Sequence, residues 1–162
     1  MTVEIAKAPP DFDRWEDLHA LLMASFAYMA DRIDPPSSLL RMDASALAGK
    51  AKSETLVLAT EGGRIAGCVF LRAEPDALYV GKLAVGDAFR GRGIARRLFA
   101  IAEDEARAAD LPFLELQTRI ELTENHETFS RLGFVRTGAT AHDGYDRPTS
   151  VTMRKPVTAH SK

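Results

Sequence analysis

Apolar residues recur along the chain in two rhythms, one with the period of a strand and one with the period of a helix. Residues 3–6 alternate like a short strand, which Pro9 and Pro10 bring to an end. From Asp11, a residue type that caps helices, Trp15, Leu18, Leu22 and Phe26 return at helical spacing. Pro35 and Pro36 break that pattern, and a second helix is predicted over 43–52. Strands follow at 56–59, 65–72 and 78–85. The turn signals Glu61-Gly62-Gly63 and Glu74-Pro75-Asp76 separate them, so they read as an antiparallel meander.

The longest helix is predicted over 94–109. Ile94, Leu98, Ile101 and Ala102 form its apolar stripe, while Arg96, Arg97, Glu103, Asp104 and Arg107 sit mainly in solvent. A strand at 112–118 leads to a short helix at 123–132, with Thr123 as its cap and Gly133 as its stop. Final strands at 134–138 and 151–155 enclose a loop at 139–149. The order β-α-α-β-β-β-α-β-α-β-β is that of an α/β chain of the α+β kind. It reads as a single domain over 1–157 with a frayed tail at 158–162.

Length and composition narrow the classes. The 162 residues, 46% hydrophobic and 27% charged, can bury one sizeable core. A net charge of −2 offers no field for a nucleic acid. No long apolar span marks a membrane segment and no signal peptide opens the chain, so a cytoplasmic location is expected. Cys68 is the single cysteine, which excludes an internal disulfide and a multi-cysteine metal site. It lies within a strand and reads as a buried, inert thiol. His19 is expected near the surface of the first helix, with His126 in the short helix, His142 in the late loop and His160 in the tail. None of the histidines has metal-site spacing, so no metal is expected.

The chemistry centres on Arg90-Gly91-Arg92-Gly93-Ile94-Ala95, between the strand at 78–85 and the longest helix. A glycine-rich turn there leaves main-chain N–H groups free at the positive end of a helix dipole. Those groups can donate to phosphate oxygens. Gly91 and Gly93 let the backbone approach a ligand without a Cβ in the way. Only these two glycines fit a dinucleotide fingerprint, and no Gly-Lys-Ser/Thr ending marks a P-loop.

What matches is R-x-x-G-x-G/A, as Arg90, Gly93 and Ala95, after Leu83-Ala84-Val85. This resembles the acetyl-CoA loop of the GNAT superfamily of N-acetyltransferases. The resemblance extends through Thr123-Glu124-Asn125-His126-Glu127-Thr128-Phe129-Ser130-Arg131-Leu132-Gly133-Phe134 and covers nearly the whole chain. It implies a mixed, twisted, mostly antiparallel sheet flanked by helices, whose fourth and fifth strands splay to leave a cleft for the cofactor. It further implies acetyl-CoA as co-substrate, held by the main chain at Leu83 and Val85, by the loop from Arg90 to Ala95, and by Asn125 and Phe129. Relatives in this superfamily are often homodimers.

Two positions depart from an easy reading. The family places a tyrosine near the cofactor sulfur as proton donor, and here that residue is Phe129, which has no hydroxyl. A thiol of pKa near 8.5 still leaves tolerably as thiolate. An acceptor amine of pKa about 10.4 must also lose a proton, at a handicap of about 4–5 kcal/mol at neutral pH. Tyr79, at a position where relatives often carry the proton acceptor, could orient a water; it could equally be a buried sheet tyrosine. Glu115 is the other candidate base, and a paired glutamate is its alternative reading.

The acceptor pocket draws candidates from Phe26, Tyr28, Met29 and Arg32 on one side and His142, Asp143, Tyr145 and Arg147 on the other. The acceptor is a small-molecule or peptide amine, and nothing in the sequence separates an amino acid, a polyamine or a protein lysine. A non-catalytic acyl-CoA-binding module or sensor is the alternative function, favoured by Phe129.

Overall fold

The computed structural model describes residues 2–158. The chain runs through β1 (Glu4–Lys7), α1 (Trp15–Phe26), α2 (Ala44–Ser53), β2 (Thr55–Glu61), β3 (Arg64–Ala73) and β4 (Leu78–Val85). It continues with α3 (Ile94–Ala108), β5 (Phe113–Arg119), α4 (Thr123–Arg131), β6 (Val135–Thr140) and β7 (Ser150–Pro156). The strands form one seven-stranded sheet in the order β1-β2-β3-β4-β5-β7-β6. Every neighbouring pair is antiparallel except β4 and β5, which run parallel.

Helices cover both faces of the central strands, and this explains why β3 is buried without interruption from Ala66 to Leu71. On one face α3 lays Ile94, Leu98, Ala102 and Ala106 against Val57, Val69, Val80 and Leu116. On the other, Leu18, Leu22 and Leu47 of α1 and α2 pack on Leu58, Cys68, Phe70 and Ala84. The α3 stripe continues to Ala106 and widens to Phe99.

Helix ends behave partly as the sequence predicts. Asp43, predicted as the first residue of the second helix, instead caps α2, its Oδ1 accepting from the Ala46 N–H at 2.8 Å. Gly133, at φ 103°, closes α4 in a Schellman turn, with Phe134 N–H to Phe129 C=O at 3.0 Å and Gly133 N–H to Ser130 C=O at 3.0 Å. Two expected caps are corrected. Asp11 is spent in a turn where Phe12 N–H donates to Pro9 C=O at 3.0 Å, so α1 begins only at Trp15, after Arg14. Thr123 is the first helical residue of α4 rather than its cap; buried Leu122 holds that place without a side-chain bond.

Short 3-10 turns over Ala27–Met29, Ser38–Arg41 and Asp87–Phe89 escape the periodicity because each is a single turn. At the C-terminus Arg107 Nε donates to the Thr158 carbonyl at 2.8 Å. The rest of the expected frayed tail, including His160, lies outside the described residues.

Candidate active site

β4 and β5 pair at only two positions, Leu78 with Leu114 and Tyr79 with Glu115. Beyond them the strands part, and the β5-facing side of β4 loses its ladder partner. One extra residue also bulges out of β4: its register against β3 moves from Gly81–Phe70 to Ala84–Cys68. Lys82 occupies the bulge at φ 50°, a left-handed conformation that costs a lysine about 1–2 kcal/mol. The Cys68 thiol donates to the Lys82 carbonyl at 3.5 Å and so holds the bulge from behind.

The turn at 90–95 stands at the mouth of this gap. Gly91 and Gly93 have φ of 77° and 75°, and a Cβ on either would meet nothing within 4 Å. The Arg90 amide donates to Asp87 C=O at 3.4 Å as the turn begins, and the next amide to find a main-chain acceptor is that of Arg97, which donates to Gly93 C=O at 3.1 Å. No main-chain acceptor serves the amides of residues 91–96 among the described residues. They open on a cavity of about 640 Å³ lined by Leu83, Val85, Arg90, Gly91, Gly93, Ile94, Ala95 and Asn125.

Gly67 on β3 sets how closely α3 approaches. A Cβ there would lie 2.8 Å from the Ala84 carbonyl oxygen and 3.3 Å from Ile94 Cγ2. Nothing in the sequence motif pointed to it.

The arginines of the motif act differently from expectation. Arg92 turns away from the cavity, ion-paired with Glu61 and stacked on Phe89 at 5.7 Å. Arg90 lines the cavity but pairs with Asp87 at 2.9 Å. Arg96, which the helical pattern assigned to solvent, lines it too, and no carboxylate lies within ion-pair distance of it among the described residues. The cavity's cationic lining thus comes from Arg90, Arg96 and Arg131.

A second cavity of about 700 Å³ continues along the gap and shares Phe26, Tyr28, Leu83, Ala95 and Asn125 with the first. Asn125 and Phe129 lie four residues apart on one face of α4 and both line it. Phe129 serves as wall and as core, its ring 6.2 Å from Phe99 and 6.1 Å from Phe134. Asn125 Nδ2 donates to the Tyr28 hydroxyl at 3.1 Å across the cleft. Ser25 donates to the Val85 carbonyl at 3.3 Å, which leaves Leu83 the less encumbered main-chain position.

Tyr79 lines the same cavity. Its ring lies over Gly81, where a Cβ would come within 3.2 Å of Tyr79 Cε2, and Arg72 stacks on it at 4.6 Å. The Gln117 main chain lies against its hydroxyl, in the gap between the strands. Burial pushes the Tyr79 phenol above its ordinary range, against the opposing pull of Arg72, so it is neutral at neutral pH.

Glu115 is not brought to the cleft. It accepts from Arg154 Nε at 2.8 Å, and Arg154 also binds Asp76 through two bonds of 2.9 Å. Burial raises the Glu115 pKa while Arg154 opposes it. Because its sheet neighbour Arg154 stands directly across on β7, the carboxylate is consumed as a structural ion pair. Cys68 is buried, and desolvation pushes its thiol up to about 12, the state of an inert sulfur. His19 is half-buried rather than superficial, its Nε2 bonded to the Met42 carbonyl at 2.8 Å.

The far end of the larger cavity is enclosed by residues 27–41 and 141–149. Phe26, Tyr28, Met29, His142, Asp143 and Tyr145 line it as expected; Arg32 and Arg147 do not. Those two act as latches. Arg32 grips Glu124 on α4 with two bonds, one of 2.8 Å, and holds the Glu124 carboxyl down at about 2. Arg147 and the Tyr145 hydroxyl both donate to Asp34. Arg119 donates to the Pro35 and Pro36 carbonyls at 2.6 Å and 3.1 Å. His142 pairs with Thr149, and burial, then the charge of Arg119, lowers its pKa, so it is neutral at pH 7.

Among the described residues no three His, Cys, Asp or Glu side chains gather as metal ligands, and no helix is long and apolar enough to cross a membrane.

The chain's relatives agree with this architecture. An IAA acetyltransferase of Azospirillum brasilense is 33% identical over 103 residues, 62% of this chain and 67% of that protein. The PaiA N-acetyltransferase of Thermoplasma acidophilum, solved in complex with coenzyme A, superposes with a TM-score of 0.76 at 14% identity, covering 96% of this chain and 99% of that one. A GNAT family acetyltransferase of Elizabethkingia anophelis, solved with acetyl-CoA bound, gives 0.68 at 17% identity, covering 95% and 97%. At such identities the two structures speak for the fold. The model of the acetyltransferase (GNAT) family matches residues 15–134, and the chain belongs to that family.

Proposed function

We propose that this chain transfers the acetyl group of acetyl-CoA to an amine by direct attack on the thioester, without a covalent acyl-enzyme. The observation that carries this reading is the row of unpartnered amides at 91–96 standing over the gap between β4 and β5. A diphosphate needs several N–H donors converging where a backbone can approach it closely, and the open space around Gly91 and Gly93 gives that approach. Arg90, Arg96 and Arg131 add positive charge to the same cavity.

The pantetheine arm then follows the unpaired edge of β4 as an added strand would, past Leu83 and Val85, with Asn125 and Phe129 opposite. At Leu83 an N–H directed at the thioester oxygen stabilises the negative charge that develops there as the amine attacks. Tyr79, neutral and set in the gap, orients a water that takes the amine's proton. Glu115 has no part in this, since Arg154 occupies it. Cys68 is excluded as an acyl carrier by its burial. Phe129 leaves the departing thiolate to be protonated by water.

The test is thiol release from acetyl-CoA across a panel of amines, with release required to depend on the amine. A non-catalytic acyl-CoA sensor is the second reading, favoured by Phe129 at the donor position; it predicts binding without amine-dependent release. A cytoplasmic homodimer, acting as one domain over residues 1–157, completes the proposal, and light scattering of the purified chain tests the dimer.

A further inference from the structure

The larger cavity holds more positive charge than acetyl transfer to a simple amine requires. Lys82, Arg41 and Arg119 all line it, while Asp143 is the one carboxylate to do so among the described residues. Arg119 is committed to the carbonyls of Pro35 and Pro36. Lys82 and Arg41 are not committed: neither has a carboxylate within ion-pair distance among the described residues, and the nearest partner of the Lys82 ammonium is the Ser38 hydroxyl at 3.5 Å. Glu54, the carboxylate whose field reaches Lys82, is already held by Lys50 at 2.7 Å and by Arg72 at 4.0 Å.

A half-buried lysine on a bulged, left-handed residue is an arrangement that ordinary packing does not favour. It puts a cation one residue from Leu83, where the reacting carbonyl is placed by the reading above. Neither Lys82 nor Arg41 lines the cavity of the phosphate loop, so the coenzyme's diphosphate does not account for them.

The geometry points to an acceptor that carries a carboxylate a few bonds from its amine, as a free α-amino acid does, with Lys82 and Arg41 binding that carboxylate. This rests on the acetyl-transfer reading and names its substrate class. Burial and the charge of Lys50 lower the Lys82 pKa, the mark of a cation short of counter-charge, and an incoming carboxylate relieves that shortage. Phe26, Met29 and Leu116 line the same cavity and give the acceptor's side chain an apolar wall.

Thiol release with L-phenylalanine, L-phenylalaninamide and phenethylamine tests the inference, alongside calorimetric titration of acetyl-CoA. The amide's amine loses its proton more readily, so preference for the acid must come from the carboxylate. We expect kcat/KM for the acid to exceed that for the amide by about tenfold or more. Lys82→Gln should bring the ratio to within about threefold by raising KM for the acid, with acetyl-CoA affinity unchanged; Arg41→Gln should have a smaller effect in the same direction. Equal use of acid and amide, or a ratio unmoved in Lys82→Gln, overturns the inference and leaves the acetyl-transfer reading standing. No binding of acetyl-CoA overturns both. If acetyl-CoA binds and none of the three amines is acetylated, N-acetyl-L-phenylalanine and its amide are titrated in the presence of coenzyme A. Tighter binding of the acid, lost in Lys82→Gln, upholds the inference, and equal binding rejects it.

Discussion

Where residues 90–95 cross the head of the cleft, the groups on offer are main-chain amides; where residues 27–41 and 141–149 enclose its other end, they are side chains that hold one another. The first region needs glycine at two positions and a helix start, with the charge of Arg90 and Arg96 beside the amides. The second is assembled from Asp34 with Tyr145 and Arg147, Arg119 with two proline carbonyls, and Arg32 with Glu124. A main-chain site can stay the same while sequences drift around it. A side-chain site can be rebuilt to hold a different acceptor. The difference predicts that mutations in the two regions separate cleanly into effects on acetyl-CoA and effects on the amine.

Gly93→Asp should break the first region most completely. Nothing lies within 4 Å of a Cβ at this position, so the fold has room for the side chain. A carboxylate at a helix start is favourable to the helix itself. The same charge faces the diphosphate, and the left-handed φ adds strain to any adjustment. Affinity for acetyl-CoA by calorimetry should fall about a hundredfold, while the strain at the left-handed φ lowers the melting temperature by only a few degrees. Unaltered affinity would remove the loop from the cofactor site.

Gly67→Ala tests whether the loop depends on what lies beneath it. The added methyl meets a main-chain oxygen at 2.8 Å, which cannot swing aside as a side chain could. Either β3 and β4 separate or α3 lifts from the sheet. Stability by urea unfolding should fall by about 1–3 kcal/mol, and acetyl-CoA binding should weaken with it.

Arg119→Gln acts on the other region. It removes the charged donors that fix the Pro35–Pro36 segment, so KM for the acceptor should rise about fivefold to tenfold. Acetyl-CoA affinity should stay within about twofold. A parallel loss of both would show that the two regions are one mechanical unit.

How much of this was legible follows the same division. The strand at 78–85 and the start of α3 at Ile94 match the periodicity to the residue, because strong apolar patterns and glycine signals coincide there. The loop was legible because glycine at 91 and 93 is a requirement of backbone geometry. Gly67, in contrast, sits in an ordinary strand pattern, and its role depends on α3, which is distant in sequence. The partners of Arg92 and Glu115 were not legible, for one reason. Sequence spacing places a charged side chain on an element, but it does not show the partner from another element, Glu61 or Arg154, that consumes it. The latches at Asp34 and Arg119 join segments more than 80 residues apart, and no local pattern records them.

Tyr79→Phe and Glu115→Gln sharpen the boundary between chemistry and scaffold. Loss of the Tyr79 hydroxyl should lower kcat several-fold, up to about tenfold, with acetyl-CoA affinity unchanged, because the ring still packs on Gly81 and Arg72. Glu115→Gln should leave kcat/KM within about twofold and lower the melting temperature slightly, since Arg154 keeps Asp76. A large loss of turnover in Glu115→Gln and none in Tyr79→Phe would reverse the assignment.

The smallest expected effect concerns the strap between Arg32 and Glu124, which joins the acceptor wall to the helix that carries Asn125 and Phe129. Arg32 donates two bonds to the Glu124 carboxylate and depresses its pKa to about 2 from the ordinary 4.5. A depressed carboxyl contributes stability that is fully present above its unfolded-state pKa and disappears as pH falls through the folded-state value. The stability difference between wild type and Glu124→Gln should therefore be constant from pH 7 to about 5, shrink between 4.5 and 2, and vanish below. Both groups are solvent-exposed, so the difference should be small and should diminish further in high salt. Urea midpoints for the two proteins across that pH range measure it. A difference that grows as the pH falls would mean that the carboxylate is not the group being titrated, and that α4 is held to the acceptor wall by the Asn125–Tyr28 bond instead.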